Sequence, residues 1–239
     1  MAIGTDASAT PRDSAAVILV RDARSAAGLE VLLVRRHRRA SFMSSSYVFP
    51  GGVAEPGESD RAAAARELAE ETGVRLPDLD GLHYFAHWIT PSIEPRRYSA
   101  RFFVAALPPD QTLTLEPREI EDAIWATPDG ALGRSGELRL PPPQIRTLIE
   151  MAPAAREGLA ALVALCAERE AAPHAILPRA SQTQGGLTLL LPWDPDYEAG
   201  VGAALSLPAG HPLAFGPSRF VLKDSAWKHI DAPTSARAG

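Results

Sequence analysis

The chain has 239 residues, of which 46% are hydrophobic and 22% charged, and its formal net charge is -5. This composition is typical of a soluble globular protein, and the charge provides no basic field for a long nucleic acid. The single cysteine, Cys166, excludes an internal disulfide and a cysteine metal site. No apolar run is long enough to span a membrane, so we predict a cytoplasmic protein whose residues 1–12 form a flexible polar tail.

The chain first alternates short apolar runs with turns. Residues 15–20 and 29–34 are rich in Val, Ile and Leu, which predicts two paired strands. Residues 47–49 predict a third strand that stops at a Pro-Gly-Gly turn, because proline lacks an N–H donor and glycine permits unusual dihedral angles.

Residues 61–72 then predict a helix, because they are mostly Ala, Glu, Arg and Leu, which are strong helix formers. Ser59 or Asp60 is placed to cap its start, and Gly73 is placed to end it. The composition changes so sharply here that this is the best-defined helix of the sequence.

Two more strands are predicted at 82–89 and 98–107, where aromatic and β-branched residues lie between prolines. Helical patterning follows at 144–151 and again at 154–170, after a run of three prolines. The longer of these two helices would cover the sheet or contact a second subunit, which makes a homodimer a prediction of the sequence.

Beyond Pro173 the apolar runs shorten and are separated by Gly and Pro turns, as at 187–191 and 219–222. We therefore expect one domain over residues 13–152 and a helical and β-containing extension over residues 153–239 that packs on it. Two full enzyme domains would not fit this length.

The candidate chemistry lies on the predicted helix. Glu67, Glu70 and Glu71 stand at positions i, i+3 and i+4, so they share one helix face with Cβ atoms about 5–6 Å apart. Three neighbouring carboxylates repel one another unless a cation lies between them. Mg²⁺ and Mn²⁺ prefer carboxylate and water oxygens, so the pattern predicts a site for one of these metals.

Such a site suits the hydrolysis of a diphosphate. A fully charged diphosphate is a poor electrophile, and a bound divalent metal neutralises it and lowers the pKa of a water molecule. Arg66 lies four residues before Glu70 and can support the carboxylates through charge-assisted hydrogen bonds. A solvated helix with salt bridges on its surface is the alternative interpretation of the same residues.

The segment from Gly52 to Val74 resembles the signature of the Nudix hydrolase family at every fixed position, G-x5-E-x7-R-E-U-x-E-E-x-G-U, in which U is a bulky aliphatic residue. The resemblance implies an α/β/α sandwich with a mixed β-sheet. It also implies that Glu67, Glu70 and Glu71 bind the metal, with help from Glu58 and the Gly52 carbonyl. Metal-activated water would attack phosphorus, and Glu70, Glu71 or Glu119 would take the proton.

Glu119 belongs to a second acidic segment that resembles the family's loop glutamate before a tryptophan. Here the tryptophan is Trp125, and the Glu-Ile-x-x-Ala-x-Trp spacing favours Glu119. Glu116 and Glu121 remain alternatives at this stage, since each precedes the same tryptophan.

The wider pattern at 47–52, 88–91 and 140–143 resembles the branch that includes peroxisomal coenzyme A diphosphatases. It implies coenzyme A or an acyl-coenzyme A as substrate, although residues 38–44 lack the further coenzyme A signature. Arginines near strand ends can bind phosphates or remain solvated, and a tryptophan can stack on a base or fill the core. The candidate substrate-binding residues are Arg36, Arg97, Arg101 and Trp88.

Other functions are compatible with the same signature. ADP-ribose, a dinucleotide or a nucleoside triphosphate would present the same diphosphate group. An isomerase of isopentenyl diphosphate needs a catalytic cysteine, whereas Cys166 lies far beyond the signature and is predicted to be inert packing. A ligand-binding module that keeps the fold without catalysis is the alternative outside the enzymes.

Overall fold

The computed structural model describes residues 9–24, 28–37, 45–183, 186–207 and 210–230. Its strands are β1 (Arg12–Asp22), β2 (Leu29–Arg36), β3 (Tyr47–Val48), β4 (Gly51–Val53), β5 (His83–Ile89), β6 (Tyr98–Ala106), β7 (Ile120–Ala126), β8 (Ala175–Ile176), β9 (Arg179–Thr183), β10 (Gly186–Leu190), β11 (Arg219–Lys223) and β12 (Ala226–Ile230). Its helices are α1 (Asp60–Thr72), α2 (Pro128–Gly133), α3 (Pro142–Glu157) and α4 (Leu159–Ala171).

Within these residues, eight strands form a mixed sheet in the order β3-β2-β1-β6-β5-β8, with β4 paired to β1 and β7 paired to β2. The predicted pairing of the first two strands is confirmed, and it is antiparallel. Strand β1 begins at Arg12, before the predicted residue 15, because it pairs in parallel with β6 from Arg12 opposite Tyr98 to Val20 opposite Ala106. The sheet therefore includes the last residue of the predicted tail, while residues 1–8 lie outside the described ranges.

Alternate residues of β1 pack against helices on opposite faces of the sheet. Val17 and Leu19 share a hydrophobic cluster with Leu68 of α1. Ile18 and Val20 belong to the cluster on the other face, which includes residues of α2, α3 and α4. Successive side chains of a strand point to opposite faces, so β1 is apolar on both sides. The predicted α/β/α sandwich is confirmed.

The predicted division between the two C-terminal helices was wrong. Helix α3 continues through Pro153, and the break falls at Gly158, which has a φ of 111°. Proline costs a helix a hydrogen bond, but Met151, Ala152 and Ala155 are buried around it, and this packing keeps the helix intact. None of the helices in the described ranges has the length and apolar character that crossing a bilayer requires.

A second sheet, in the order β12-β11-β10-β9, lies after the helices and confirms the strands predicted in the extension. Its Leu189 and Phe220 belong to the same hydrophobic cluster as Ile145 and Leu148 of α3. The predicted domain boundary between residues 152 and 153 falls inside α3, and the division into domain and extension stays a prediction.

Arg146 holds the second sheet to α3 from a fully buried position. Its guanidinium donates to the carbonyls of Leu213 and Pro217, each at 3.1 Å, and it pairs with Glu150. Glu150 also accepts a hydrogen bond from Arg169 of α4 at 2.6 Å. A buried cation must have such partners because it has lost its hydration, so this network connects α3, α4 and the segment that precedes β11.

We expect Arg146→Met to lower the free energy of unfolding by about 3–5 kcal/mol, because it leaves the buried Glu150 carboxylate with Arg169 alone and removes the side-chain donor of the Phe215 and Pro217 carbonyls. Urea denaturation of the variant and the wild type at neutral pH measures the difference. The matched control is Arg156→Met on the same helix, which removes an exposed pair with Asp129 and should change the free energy of unfolding very little. Equal stabilities of the Arg146 and Arg156 variants would contradict this assignment.

Candidate active site

Helix α1 begins and ends at the capping residues that its sequence offers. The Ser59 side chain accepts a hydrogen bond from the Ala62 N–H at 3.2 Å, so Ser59 rather than Asp60 is the cap. Gly73 ends the helix with a φ of 73°, and its N–H donates to the Ala69 carbonyl at 2.9 Å. These caps fix the helical register, which determines the direction of each glutamate.

Strand β4 passes very close to the first of these glutamates. Gly52 pairs with Ala15 of β1, and a Cβ built on Gly52 would lie 2.4 Å from the Glu67 carboxyl group. No larger residue fits at this position unless the Glu67 side chain moves. The glycine of the signature therefore allows the Glu67 carboxyl group to approach the main chain of β4.

Arg66 binds three carboxylates at once. Its guanidinium donates to both oxygens of Glu58, at 3.0 and 2.9 Å, to Glu67 at 2.9 Å and to Glu70 at 3.1 Å. It also donates to the Val53 carbonyl at 3.0 Å. The hydrogen bonds that Arg66 donates to Glu58 lower the pKa of Glu58, and its hydrogen bonds to the Glu58 and Glu67 carboxylates raise the pKa of Arg66. The predicted supporting role of Arg66 has a geometric basis in these contacts.

Glu71 is almost fully buried and accepts a hydrogen bond from the Gly51 N–H at 2.9 Å. Burial raises its pKa to about 8, and the charges of Glu67 and Glu119 act in the same direction. Burial also raises the pKa of Glu67, to which Glu70 and Glu119 contribute, while Arg66 opposes the shift. A cluster with these properties favours either protons or a bound cation.

A cleft of about 580 Å³ lies beside these carboxylates. The candidate site residues that line it are Gly52, Glu67, Glu71, Glu119, Arg36 and Trp88. Glu58, Glu70 and Arg66 do not line it, and the Glu70 side chain remains 60% exposed where it pairs with Arg66. Of the three glutamates predicted to act together, the structure thus brings two into the cleft.

Two of the predicted substrate-binding arginines lie elsewhere. Arg97 is buried and donates to the carbonyls of Thr90 and Ala9, each at 3.0 Å, and burial lowers its pKa. Arg101 pairs with Asp60 at 3.2 Å and with Asp13 at 3.6 Å. The alternation of side chains along β6 explains the position of Arg101. Tyr98, Ala100 and Phe102 line the cleft, so Arg101 lies on the opposite face of the sheet, toward α1. Arg38 and Arg39, with the rest of the segment 38–44, lie outside the described residues.

Among the three acidic alternatives before Trp125, Glu119 is the one that lines the cleft. Its carboxylate makes no hydrogen bond or ion pair with any residue that the structure describes. Glu116 accepts a hydrogen bond from the Arg118 N–H at 3.2 Å, and Glu121 lies 3.6 Å from Arg35. Glu119 alone of these three combines a free carboxylate with a position on the cleft wall.

None of the substrate-binding residues predicted from the sequence belongs to the wall of the cleft that residues after 141 provide. The lining residues there are Pro142, Pro143, Gln144, Pro178, Leu187, Leu189 and Trp227. The signal available in the sequence was a polar residue directly after three prolines, at the start of a helix whose neighbouring residues are apolar. The contribution of β10 and β12 had no local signal, since it depends on tertiary packing.

Cys166 is a buried residue of α4, packs in the hydrophobic core and does not line the cleft. Burial raises the pKa of its thiol to about 12, which disfavours the thiolate, the nucleophilic form. The predicted packing position of Cys166 is confirmed, and its inertness stays a prediction.

The carboxylates fit a divalent metal, although the described residues contain no preformed trio of His, Cys, Asp or Glu ligands. Arg66 forms ion pairs with Glu58, Glu67 and Glu70, which limits how closely their oxygens approach a common metal position. Glu71 and Glu67 face one cleft with pKa values raised by burial, and Glu119 adds a third negative charge. A hard cation with oxygen ligands, such as Mg²⁺ or Mn²⁺, offsets this repulsion.

Comparison with known proteins shows what the chain is similar to. The family model described as NUDIX domain matches residues 10–147. The Caenorhabditis elegans protein "Putative nudix hydrolase 7" is 28% identical over 162 residues, which cover 51% of this chain and 55% of that protein. The RNA pyrophosphohydrolase of Dinoroseobacter shibae is 32% identical over 92 residues, which cover 34% of this chain and 58% of that protein. The chain thus spans less than two thirds of each relative.

A solved structure shares the fold. The crystal structure of a NUDIX hydrolase from Alicyclobacillus acidocaldarius superposes with a TM-score of 0.56 and 24% sequence identity, covering 62% of this chain and 93% of that one. The family match ends at residue 147, so the cleft residues contributed by β10 and β12 lie beyond it.

The face of the sheet that holds Arg101 also contains a half-buried histidine, His87, from which a pH dependence follows. Burial lowers the pKa of His87 to about 4, Arg101 lowers it further, and Asp13 opposes the shift. The unfolded chain binds this proton below about pH 6.5, whereas the folded chain does not bind it until about pH 4. The wild type should therefore lose stability relative to His87→Gln as the pH falls through this window. Urea denaturation at several pH values measures this, and parallel stability curves would contradict it.

Proposed function

The chain belongs to the NUDIX family, and from this premise we propose that it is a divalent-metal-dependent diphosphatase. Its substrate is a nucleoside diphosphate joined to a further group, and the bond cut is a P–O bond of the diphosphate linkage. The observation that carries the proposal is the position of Glu67, Glu71 and Glu119 on one cleft with Arg36. Three carboxylates repel an anionic substrate unless a cation accompanies it, and diphosphate hydrolysis needs that same cation.

The acidic residues of the site would bind the metal. Glu67 and Glu71 would hold Mg²⁺ or Mn²⁺, with Glu58, Glu70 and the Gly52 carbonyl in support. A metal bound there supplies charge neutralisation for the diphosphate and a water molecule of lowered pKa.

The remaining tasks belong to side chains that do not hold the metal. Arg36 binds phosphate oxygens through charge-assisted hydrogen bonds. Glu119, whose carboxylate has no partner among the described residues, accepts the proton of the attacking water. Arg66 keeps Glu58 and Glu67 in position through the contacts described above.

Coenzyme A or an acyl-coenzyme A is the substrate that we propose first. Its cleavage gives phosphopantetheine, acylated in the second case, and adenosine 3′,5′-bisphosphate. The support is the sequence pattern that resembles the coenzyme A diphosphatase branch. Three residues of that pattern, Trp88, Pro142 and Pro143, line the cleft. The cleft volume is also in the range of small-molecule sites. A homodimer and a cytoplasmic location stay predictions of the sequence.

We expect Glu71→Gln and Glu67→Gln each to lower kcat by at least about 10²-fold, because each removes a charged oxygen ligand of the metal. Both variants should also weaken Mn²⁺ binding, measured by electron paramagnetic resonance without substrate. Glutamine at position 71 keeps an oxygen that can accept the Gly51 N–H, so the melting temperature should stay close to that of the wild type.

The matched control is Glu70→Gln, because the Glu70 side chain is exposed and pairs with Arg66 outside the cleft lining. We expect it to lower kcat less than either other variant does. Glu119→Gln should lower kcat while leaving Mn²⁺ affinity nearly unchanged, since Glu119 is assigned to proton transfer. If Glu67→Gln and Glu71→Gln keep full turnover and Mn²⁺ affinity, the metal assignment is wrong.

A substrate panel tests the activity itself. The compounds are coenzyme A, acetyl-coenzyme A, ADP-ribose, diadenosine tetraphosphate and dGTP, each with Mg²⁺ or Mn²⁺ and with or without EDTA. We expect coenzyme A to give adenosine 3′,5′-bisphosphate by mass spectrometry and EDTA to abolish the reaction. Preference for another compound would reject the coenzyme A assignment and keep the diphosphatase. No product, together with a ligand-induced rise in melting temperature, would instead favour a binding module.

A further inference from the structure

The cleft has two chemically different parts. Its charged lining residues, which are Arg36, Glu67, Glu71, Glu94 and Glu119, all come from the part of the chain before residue 141. Every lining residue after 141 is uncharged, and most of these are apolar. A diphosphate and its metal belong beside the carboxylates. The uncharged wall, formed by the start of α3 with β10 and β12, suits a neutral group.

Gln144 is the polar exception on the uncharged wall. It is 5% exposed, and its side-chain oxygen Oε1 is buried without a hydrogen-bond partner among the described residues. A buried polar atom without a partner is uncommon in folded proteins, and of the two on the first turns of α3, Gln144 Oε1 and Thr147 Oγ1, only the first belongs to a residue that lines the cleft. Pro142 and Pro143 precede it in the first turn of α3 and line the same cleft, so this helix end is part of the cleft wall.

Apolar side chains line the same cleft as Gln144, among them Trp88, Leu189 and Trp227. Trp88 and Leu189 are buried, and Trp227 is half-buried. Flat apolar surfaces bind the face of a ring or an alkyl chain but give no orientation. A buried acceptor in the same cleft provides that orientation, because a ligand group lacking a donor would leave the acceptor without a partner.

We propose that Gln144 and the uncharged wall form the subsite for a neutral, apolar-faced part of the substrate that carries an N–H or O–H donor, with the donor bonded to Gln144 Oε1. The proposal rests on the proposed function, since it assigns the part of the substrate that lies beyond the diphosphate. Two sources of the donor have this chemistry, an adenine amino group and an amide of a pantetheine chain.

The test compares Gln144→Leu with the wild type on ADP-ribose and dephospho-coenzyme A, which share adenosine diphosphate and differ in the attached group. Leucine has a similar volume but no acceptor. We expect kcat/KM to fall about 10- to 100-fold, mainly through KM, because the bond forms in the ground state as well as in the transition state. The melting temperature should stay equal or rise, since no intramolecular hydrogen bond is lost.

The matched control is Thr147→Val, one turn further along α3. The Thr147 hydroxyl is also buried without a partner, but Thr147 does not line the cleft. We expect this variant to keep wild-type kcat and KM on both compounds. A comparable loss in the two variants would mean that packing within α3, and not recognition, is being measured, and it would overturn the proposal.

The two compounds separate the sources of the donor. A loss on both places the donor on the shared adenosine, and a loss on dephospho-coenzyme A alone places it on the pantetheine amides. A loss on ADP-ribose alone fits neither source and overturns the proposal. Equal kcat/KM for Gln144→Leu and wild type on both compounds overturns the proposal.

Calorimetric titration of the same two compounds with Ca²⁺, beside turnover assays with Mg²⁺ and Mn²⁺, separates this proposal from the proposed function. If the wild type binds them without turnover and Gln144→Leu binds more weakly, the subsite stands and the diphosphatase assignment fails. If turnover is normal and Gln144→Leu changes neither binding nor KM, the diphosphatase stands and the subsite fails. Absence of both binding and turnover rejects the subsite as well.

Discussion

The site depends on the hydrogen bonds that Arg66 donates to Glu58, Glu67 and Glu70. Several carboxylates within two helical turns destabilise one another, and burial of Glu71 increases that cost. The guanidinium offsets part of it, and its bond to the Val53 carbonyl connects α1 to β4. The same guanidinium also binds Glu58, which lies in the loop before the helix. The fold thereby keeps an acidic cluster intact that would otherwise repel itself.

The sheet converts this local arrangement into a cleft. Strand β1 is buried on both faces, so α1 and the other helices pack on opposite sides of it. The pairing of β4 with β1 places Gly52 beside Glu67, and β5 and β6 contribute Trp88 and Phe102 to the same cleft. The acidic helix packs on the same sheet that contains the apolar strands, so both contribute residues to one cavity.

Local features were predictable from the sequence. The face of a strand on which a residue lies, and contacts between residues far apart in the chain, were not. The spacing of the signature and the two caps predicted α1 and its acidic face, because a helix turns chain spacing into direction. The sequence could not show that Arg101 faces α1 and not the cleft, because one residue of shift along a strand reverses the face. Pro153 suggested a helix end that tertiary packing overrides. The wall containing Leu189 and Trp227 lies far along the chain from Glu67, and no short pattern connects them.

The buried Arg146 also determines how the cleft can respond to a ligand. It lies two residues after Gln144 on α3 and binds the carbonyls of the segment that leads into β11. Moving the second sheet away from α3 would strip a desolvated cation of its acceptors, which is a steep energetic barrier. The cavity is therefore a preorganised slot of set width. Selection among ligands must occur by the fit of each compound to a rigid shape, with little adjustment by the protein when the compound enters.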